Sequence, residues 1–320
     1  MTRPTVLVTG ATGFVGSALV SHLTALNQCV VRSVVRGRLG ENSPGGHIVA
    51  VGNLTSQTDW SEALEGVQVI VHVAARTQVL PGAPASVLAE FREVNVAATL
   101  ALAAQALAAG VRRFVFISSV KVLGESSVPG RPFQESDQYA PTDHYGVSKM
   151  EAEQGLQALL AGTSTELVVI RPPLVYGRGM QSNFGALMEV VKRGMPLPFA
   201  SIHNRRSFIG IDNLVHFIAV CTTHVKAAGQ IWMVSDAERL STPDLIRSMA
   251  AAMGCQAVLI PVPVIWLKWS AFAVNKSYMF QRLCGDLEVD SSKAQRLLGW
   301  VPPVALEDGL RRAVQVGAGR

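Results

Sequence analysis

The sequence predicts an α/β protein built on a doubly wound parallel sheet, and two observations support this. Over the first 171 residues, short apolar runs rich in Val and Ile alternate with segments of helical periodicity. This alternation is typical of a parallel sheet covered by helices on both faces. The first apolar run leads directly into Gly10, Gly13 and Gly16. Glycines at that spacing, after a strand and before a helix, form a tight strand-to-helix crossover.

The predicted elements follow one another along the chain with short connections. Strands are expected at 5–9, 30–35, 47–51, 69–73, 114–118 and 167–171, and helices at 16–26, 61–64, 87–109 and 145–161. Such an arrangement is a Rossmann-type fold, and ligands bind there beyond the carboxyl ends of the strands. We therefore expect the functional residues to follow the strands.

The pattern changes after Arg171-Pro172-Pro173, where proline becomes more frequent and the elements become shorter. We predict a dinucleotide-binding domain over 1–171 and a smaller mixed α/β lobe, mainly substrate-binding, over 172–320. Strand-like runs at 207–212 and 231–234 predict segments near 207–235 that return to the first sheet.

Charge and cysteine content narrow the class of ligand. The chain has 320 residues and a formal charge of +5, and its paired arginines are scattered, unlike the clustered charge of a nucleic-acid-binding face. This distribution favours anionic small molecules. The four cysteines lie outside metal-ligand and disulfide spacing, so no metal site is predicted.

The most apolar stretch, 258–274, is a poor membrane span because Pro261, Pro263 and Lys268 interrupt it. We predict that its Trp266, Trp269 and Phe272 form a buried wall of the second lobe. Peripheral membrane contact is the alternative. Without a secretory signal pattern, a cytoplasmic protein is expected.

The glycine turn predicts a dinucleotide site. Gly10 tolerates a positive φ, Gly13 permits close approach of a pyrophosphate, and Gly16 permits close helix packing. The phosphates would lie on free N–H groups at the helix N-terminus. Cofactor contacts are accordingly predicted at Gly10, Thr12, Gly13, Phe14 and Val15.

The end of the second predicted strand bears on the choice of nicotinamide cofactor. NAD-binding folds carry an acidic residue there, whereas residues 34–38 read Val-Val-Arg-Gly-Arg. Arg36 and Arg38 suit bidentate contact with a 2′-phosphate, which predicts NADP, with NAD as the alternative. Both arginines can equally be solvated loop residues.

Tyr145 and Lys149 are spaced one helical turn apart and so share a helix face. A cation near a phenol favours the phenolate and lowers its pKa, which suits a general acid/base near neutral pH. The pair follows a predicted strand that ends in Ser118 and Ser119. These residues predict a catalytic site at the carboxyl edge of the sheet.

Taken together, the glycine turn, Ser118-Ser119 and Tyr145-x-x-x-Lys149 resemble the extended short-chain dehydrogenase/reductase superfamily, specifically the NAD-dependent epimerase/dehydratase family. Further similarity to that family lies at 71–75, at Asn95, and at 171–177, 206–213 and 298–302. The resemblance covers most of the chain.

The resemblance implies roles for individual residues. Tyr145 is the acid/base, Lys149 holds the nicotinamide ribose, and Ser119 bonds the substrate oxygen, with Ser118 as the alternative hydroxyl. Further cofactor contacts are implied at Asn53, Leu54, Ala74, Ala75, Asn95 and Pro172. Substrate contacts are implied at Asn183, Arg206 and Arg282, the two arginines at a diphosphate.

The second half further resembles bacterial enzymes of O-antigen sugar synthesis. This implies an NAD(P)H-dependent reductase of the 4-keto group of a UDP-2-acetamido-2,6-dideoxy-4-hexulose in polysaccharide synthesis. The alternatives are a nucleotide-sugar 4-epimerase with tightly bound NAD, a reductase of a non-nucleotide ketone, and a non-catalytic cofactor-sensing protein. The resemblance also implies a homodimer through the helices at 96–109 and 145–161.

Overall fold

The computed structural model describes residues 3–37, 45–78, 87–180, 183–273 and 277–314. Their strands form two sheets: β1 (Thr5–Thr9), β2 (Val30–Val35), β3 (His47–Ala50), β4 (Val69–His72), β5 (Arg113–Ile117), β6 (Glu166–Arg171), β7 (Leu174–Tyr176), β8 (Arg206–Gly210), β9 (Gln230–Met233) and β10 (Arg239–Leu240). The larger sheet has seven parallel strands in the order β3-β2-β1-β4-β5-β6-β9. The Rossmann-type fold class is thereby confirmed.

The helices lie between these strands and in the second half: α1 (Phe14–Leu26), α2 (Ser61–Leu64), α3 (Val87–Arg92), α4 (Ala98–Ala108), α5 (His144–Leu160), α6 (Asn183–Lys192), α7 (Ile211–Thr223), α8 (Thr242–Ala252), α9 (Val264–Ala273), α10 (Ser277–Cys284), α11 (Ser292–Leu298) and α12 (Leu306–Val314). A π-helical turn at Glu93–Ala97 joins α3 to α4. A short 3₁₀ helix at Val120–Val122 follows β5.

The core lies on both faces of the larger sheet, because alternate residues of each strand point to opposite sides. In β1, Val6 and Val8 face α1 and α7, whereas Leu7 faces α4 and α5. The near-continuous apolar strands are therefore buried on both faces.

The second half contributes to both sheets. β9 pairs with β6 and becomes the seventh strand of the large sheet. The segment at 206–210 instead forms β8 of a three-stranded sheet in the order β10-β8-β7. Its neighbour β7 follows directly after Pro172-Pro173 and offers it a parallel partner. The domain boundary at residue 171 stays a prediction, since α7 and β9 pack into the first core.

The apolar stretch at 258–274 differs from its predicted arrangement. Among the described residues, no helix has the length and apolar character needed to cross a membrane. Trp266, Trp269 and Phe272 are 68%, 72% and 79% exposed, so the prediction of a buried wall is wrong. The physical reason is that α9 packs along α10 and contributes no buried residue to the core.

Candidate active site

The glycine turn lies under the carboxyl end of β4. Gly10 has a φ of 67°, and an added Cβ would lie 2.8 Å from the backbone nitrogen of Ala74. At Gly16 an added Cβ would lie 2.0 Å from the carbonyl oxygen of Gly10. Only glycine fits at these two positions, and the turn brings the start of α1 directly beneath the ends of β1 and β4.

The N-terminus of α1 is open to an anion. Gly13 caps the helix without a side chain, and the first turn contains no acidic residue. The first N–H groups of a helix have no partner within it and favour negative charge. Thr12 is exposed, and Phe14 and Val15 are half-buried around this end. The open helix N-terminus fits a pyrophosphate, and the individual cofactor contacts at these residues stay a prediction.

A buried histidine supports the turn from below, and sequence reasoning missed it. His72 Nδ1 lies 2.8 Å from the hydroxyl of Thr9, and its Nε2 lies 2.9 Å from the hydroxyl of Thr99. The Thr9 hydroxyl also accepts the backbone N–H of Ala74 at 3.2 Å. Burial, with the charge of Lys149, lowers the pKa of His72 to about 3, so it is neutral. The sequence feature that could have indicated this role is a single polar residue, His72, in the otherwise apolar strand β4.

Asn95 lies in the π-helical turn, a feature that is frequent at functional sites. Its Oδ1 accepts the backbone N–H of Arg76 at 2.8 Å, and its Nδ2 donates to the Ser148 hydroxyl at 2.9 Å. The buried amide therefore links the loop after β4 to α5. A direct cofactor contact at Asn95 stays a prediction.

The other predicted cofactor contacts in the first half of the chain follow strands β2, β3 and β4. Arg36 is exposed at the end of β2, and Arg38 lies outside the described residues. Asn53 is exposed, and its carbonyl accepts the Thr58 hydroxyl at 3.2 Å. Leu54 packs against the core, and Ala75 is half-buried in the loop after β4. Within the described ranges, no hydrogen bond or ion pair fixes the Arg36 guanidinium, and NADP stays a prediction.

Two serines follow β5 where the sequence placed them. Ser119 is half-buried and caps the 3₁₀ helix, its Oγ accepting the N–H of Lys121 at 3.3 Å. Ser118 is buried, and its hydroxyl has no hydrogen-bond partner among the described residues. The Pro172 carbonyl accepts the N–H of Val120 at 3.0 Å and ties β6 to this helix.

The first turn of α5 packs on that 3₁₀ helix and brings Tyr145 to the same edge as Ser119. Asp143 caps α5, accepting the N–H of Gly146 at 2.6 Å, and forms an ion pair with Lys121. An added Cβ at Gly146 would lie 2.8 Å from the Lys121 carbonyl oxygen. Lys121, which sequence reasoning missed, therefore acts on both predicted catalytic residues: its N–H bonds Ser119 and its charge acts on Tyr145.

The pKa of Tyr145 differs from the expectation. Burial raises it to about 12, the charge of Lys121 lowers it, and Asp143 raises it. The prediction of a lowered pKa is wrong for the chain alone, because burial outweighs the cations. The cation that acts most on the phenol is Lys121 rather than Lys149.

Lys149 is 1% exposed, with its Nζ 4.1 Å from the centre of the Phe116 ring. Burial lowers the pKa of Lys149 to about 7, while the carboxylate of Glu153 opposes that shift. Its ammonium thus lies against the Phe116 ring of β5, on the buried face of α5.

Glu153 is a second residue that sequence reasoning missed. It is buried one turn beyond Lys149 and forms an ion pair with the buried Arg171 at 2.6 Å. It also accepts the Tyr139 hydroxyl at 2.9 Å. Its spacing from Lys149 on the helix was the available signal. The network fixes α5 against β6, and with it the orientation of Lys149.

The structure places the two predicted substrate arginines within electrostatic reach of each other. Arg206 is buried and donates from Nη1 to the Gly285 carbonyl at 2.8 Å. Burial and Arg282 lower the pKa of Arg206 to about 10, against the opposing effect of Glu125 and Asp286. Glu125 also pairs with Lys121 at 2.7 Å, which connects the arginines to the Tyr145 edge.

Asn183 opens α6, and its side chain lies outside the described part of the structure. Among the described residues there is no cluster of His, Cys, Asp and Glu that could hold a metal ion.

Comparison with known proteins decides the family. Residues 6–235 match the NAD dependent epimerase/dehydratase family. The chain belongs to that family. It is therefore an enzyme of the epimerase/dehydratase type, and the matched segment contains the glycine turn, Ser119, Tyr145, Lys149 and Arg206.

Individual relatives of this epimerase/dehydratase family member cover nearly the whole chain. It is 44% identical to UDP-glucose 4-epimerase from Vibrio cholerae, over 97% of this chain and 94% of the relative. It is 26% identical to N-acetyl-alpha-D-glucosaminyl-diphospho-ditrans,octacis-undecaprenol 4-epimerase from Escherichia coli O157:H7, over 97% and 94%. The solved structure of MoeE5 with UDP-glucose and NAD is 25% identical, with a TM-score of 0.74 and 96% of each chain covered.

Proposed function

We propose that this protein is a nucleotide-sugar 4-epimerase that retains NAD throughout the reaction. The observation that carries the proposal is the 44% identity, along nearly the entire chain, to a UDP-glucose 4-epimerase. The sequence alone favoured a 4-keto reductase and kept the epimerase as the alternative. The relatives support the alternative better, because two of them act as 4-epimerases.

NAD, which the glycine turn from Gly10 to Val15 would hold, would supply a reversible hydride acceptor for C4 of the sugar. The chain supplies the proton chemistry. Tyr145 accepts the proton of the 4-hydroxyl as hydride leaves and gives it back when hydride returns, so no net proton or electron is exchanged. The hydroxyl of Ser119, held at the cap of the 3₁₀ helix, bonds the 4-oxygen and fixes its position.

The charges of the chain match that chemistry. The phenol of Tyr145 must ionise to act as a base, and Lys121 is the cation that lowers its pKa. Lys149, buried on the same helix as Tyr145, restrains the nicotinamide ribose. At the other end, Arg206 and Arg282 form the positive pair that a diphosphate requires.

NAD is the cofactor we propose, since MoeE5 binds it with UDP-glucose. None of the relatives named above is described with NADP, the cofactor predicted from Arg36 and Arg38. Heat release of the nucleotide from purified protein, followed by mass spectrometry, tests this choice. We expect NAD, whereas recovery of NADP alone would support the original prediction.

The experiment that tests the function offers UDP-glucose and UDP-N-acetylglucosamine to the enzyme without added cofactor. The 4-epimer of one of them should form, as detected by chromatography of the nucleotide sugars. In a parallel assay, NADPH and a 4-keto UDP-sugar should give no steady loss of absorbance at 340 nm. Stoichiometric NADPH oxidation without epimer would overturn the proposal in favour of the reductase.

The homodimer stays part of this proposal. α4 and α5 pack closely, since an added Cβ at Gly155 would lie 2.9 Å from the Leu100 side chain. Light scattering at assay concentration would give twice the chain mass if the pair also forms an interface between copies. We also propose a cytoplasmic location, as the sequence predicts.

A further inference from the structure

The outer face of α9 is apolar and aromatic. Ile265, Trp269 and Phe272 recur at helical spacing on one side, with Trp266 beside them. All four side chains are more than half exposed. Four large, exposed apolar side chains on one short helix form a contiguous patch, and such patches mark interaction surfaces.

The stretch of sequence that contains α9 carries only positively charged side chains. Residues 245–285 contain no Asp or Glu, and their charged residues are Arg247, Lys268, Lys276 and Arg282. Arg247 pairs with Asp244, one residue before this stretch. Lys268 is exposed on α9 itself, at the border of the apolar face. The stretch of chain that contains α9 is therefore complementary in charge to an anionic partner.

The apolar face continues into a cavity of ≈ 1020 Å³ between α9 and α10. Trp269, Phe272 and Phe280 line it, together with Gly285. The carbonyl of Gly285 accepts the hydrogen bond from Arg206. The surface of α9 is thus continuous with the end of the candidate site that holds the arginine pair.

We propose that α9 docks this protein on the surface of an anionic lipid bilayer. Trp and Phe side chains settle at the boundary between headgroups and acyl chains, where one end meets apolar and the other polar surroundings. Lys268 meets lipid phosphates at that depth. The exposed aromatic side chains and the missing carboxylates together fit this partner.

Charge argues against a second copy of the chain as the occupant. Two α9 faces in contact would bring two Lys268 side chains and two acid-free segments together, with no carboxylate between them. Like charges buried at an interface destabilise it. A bilayer containing anionic lipid satisfies both the apolar face and the charge.

Docking goes beyond the proposed 4-epimerisation and does not depend on it. A bound bilayer would lie at the mouth of the α9–α10 cavity, close to the arginine pair, while Tyr145 lies at the carboxyl edge of the large sheet. Docking and turnover of a soluble nucleotide sugar are therefore separable measurements on the same full-length protein.

The test is co-sedimentation of the full chain with extruded vesicles, either phosphatidylcholine alone or phosphatidylcholine with one-third phosphatidylglycerol. We expect binding to the anionic vesicles, on the order of tenfold weaker binding to the neutral ones, and loss of binding at high salt. The exposed Trp266 and Trp269 should also be quenched by brominated lipid, unlike the buried Trp60 and Trp232.

Two variants and a matched control make the test specific. Trp269→Ser combined with Phe272→Ser should reduce vesicle binding at least tenfold, and Lys268→Glu should remove the preference for anionic lipid. Val225→Ser removes an equally exposed apolar side chain elsewhere and should bind as the parent does. Far-ultraviolet circular dichroism should be equal in all four proteins, which separates a loss of vesicle binding from a loss of folding.

Two outcomes would overturn the proposal. One is that the parent and the double variant bind anionic vesicles equally well, or that neither binds them. The other is a dimer by light scattering that the double variant abolishes, which would assign the face to self-association. If docking fails while epimer still forms, only the docking inference falls.

Discussion

At the residue scale, the catalytic edge combines features that sequence spacing predicts with features that depend on packing. The sequence predicts the one-turn spacing of Tyr145 and Lys149, because the helix period fixes it. It also predicts the position of Ser119 after β5, because ligand-binding residues follow the strand ends. The raised pKa of Tyr145 could not be predicted from the sequence, because it depends on how α5 packs on the 3₁₀ helix. Lys121 was missed for the same reason.

Tyr145→Phe removes the proton-transfer group and keeps the ring. We expect kcat to fall by roughly 10²–10⁴, the range for loss of a general acid/base, with the bound nucleotide retained. Turnover of UDP-sugar and the amount of nucleotide released by heat measure the two effects. Tyr139→Phe is the control, since its phenol bonds Glu153 and should leave kcat within a few-fold. An active Tyr145→Phe enzyme would contradict the assignment.

Lys121→Met tests the electrostatics of the phenol. Lys121 lowers the pKa of Tyr145, so its removal raises that pKa and leaves less phenolate at any given pH. The rising limb of kcat/KM against pH should move to higher pH, with kcat/KM at pH 7 lower by on the order of tenfold.

Lys121→Arg keeps the charge and should restore the parental pH profile. A uniform loss of kcat/KM at every pH, with no displacement of the limb, would show that Lys121 acts only through the Asp143 ion pair and the position of α5.

At the scale of elements, the large sheet followed closely from the sequence. The six strands predicted from apolar runs appear within one or two residues of their predicted bounds, because burial on both faces leaves an unmistakable pattern. The π-helical turn inside the helix predicted at 87–109 was not predictable. It depends on Asn95 bonding both the Arg76 backbone and Ser148, which are brought together only by the fold.

Gly16→Ala tests the strand-to-helix turn. Because the new Cβ would lie 2.0 Å from the Gly10 carbonyl oxygen, α1 must shift away from the turn. We expect a loss of about 1–3 kcal/mol in the free energy of unfolding and a strongly reduced content of bound nucleotide. Gly37→Ala is the control, since its Cβ would meet nothing within 4 Å. Normal nucleotide content in Gly16→Ala would refute the close-packing argument.

Glu153→Ala tests the buried ion pair that holds α5 to β6. It leaves the buried Arg171 guanidinium without its carboxylate, which should cost about 3–5 kcal/mol of stability by urea unfolding. Glu151→Ala, on the same helix, removes a more exposed pair with Arg92 and should cost under about 1 kcal/mol. Equal losses in the two variants would count against a structural role for the Glu153 network.

At the scale of the whole molecule, the two halves of the chain are interleaved. Phe217 of α7 and Trp232 of β9 complete the core on one face of the first sheet, although both follow residue 171. The sequence indicated the lobe boundary through proline content but could not distinguish which return segment would join which sheet. The exposure of α9 could not be predicted either, because an apolar run has the same sequence pattern whether or not a neighbouring element covers it.

A truncated chain of residues 1–171 should therefore fail to fold. Without β9, the edge of β6 is unpaired, and without α7 the residues around Val6 and Val8 face water. Far-ultraviolet circular dichroism and binding of an apolar dye would report a collapsed, non-cooperative state. A cooperative unfolding transition in this fragment would mean that the first domain is independent of the second half.

The central claim is that hydride leaves C4 of a nucleotide sugar and returns to it within one closed site. The most direct measurement uses UDP-glucose and UDP-N-acetylglucosamine carrying deuterium at C4, without added cofactor. We expect a 4-epimer that retains the deuterium at C4, even when unlabelled NADH is present in the solution. Epimer that has lost the label to the solution cofactor, or a product that forms only when NADPH is consumed, would contradict it.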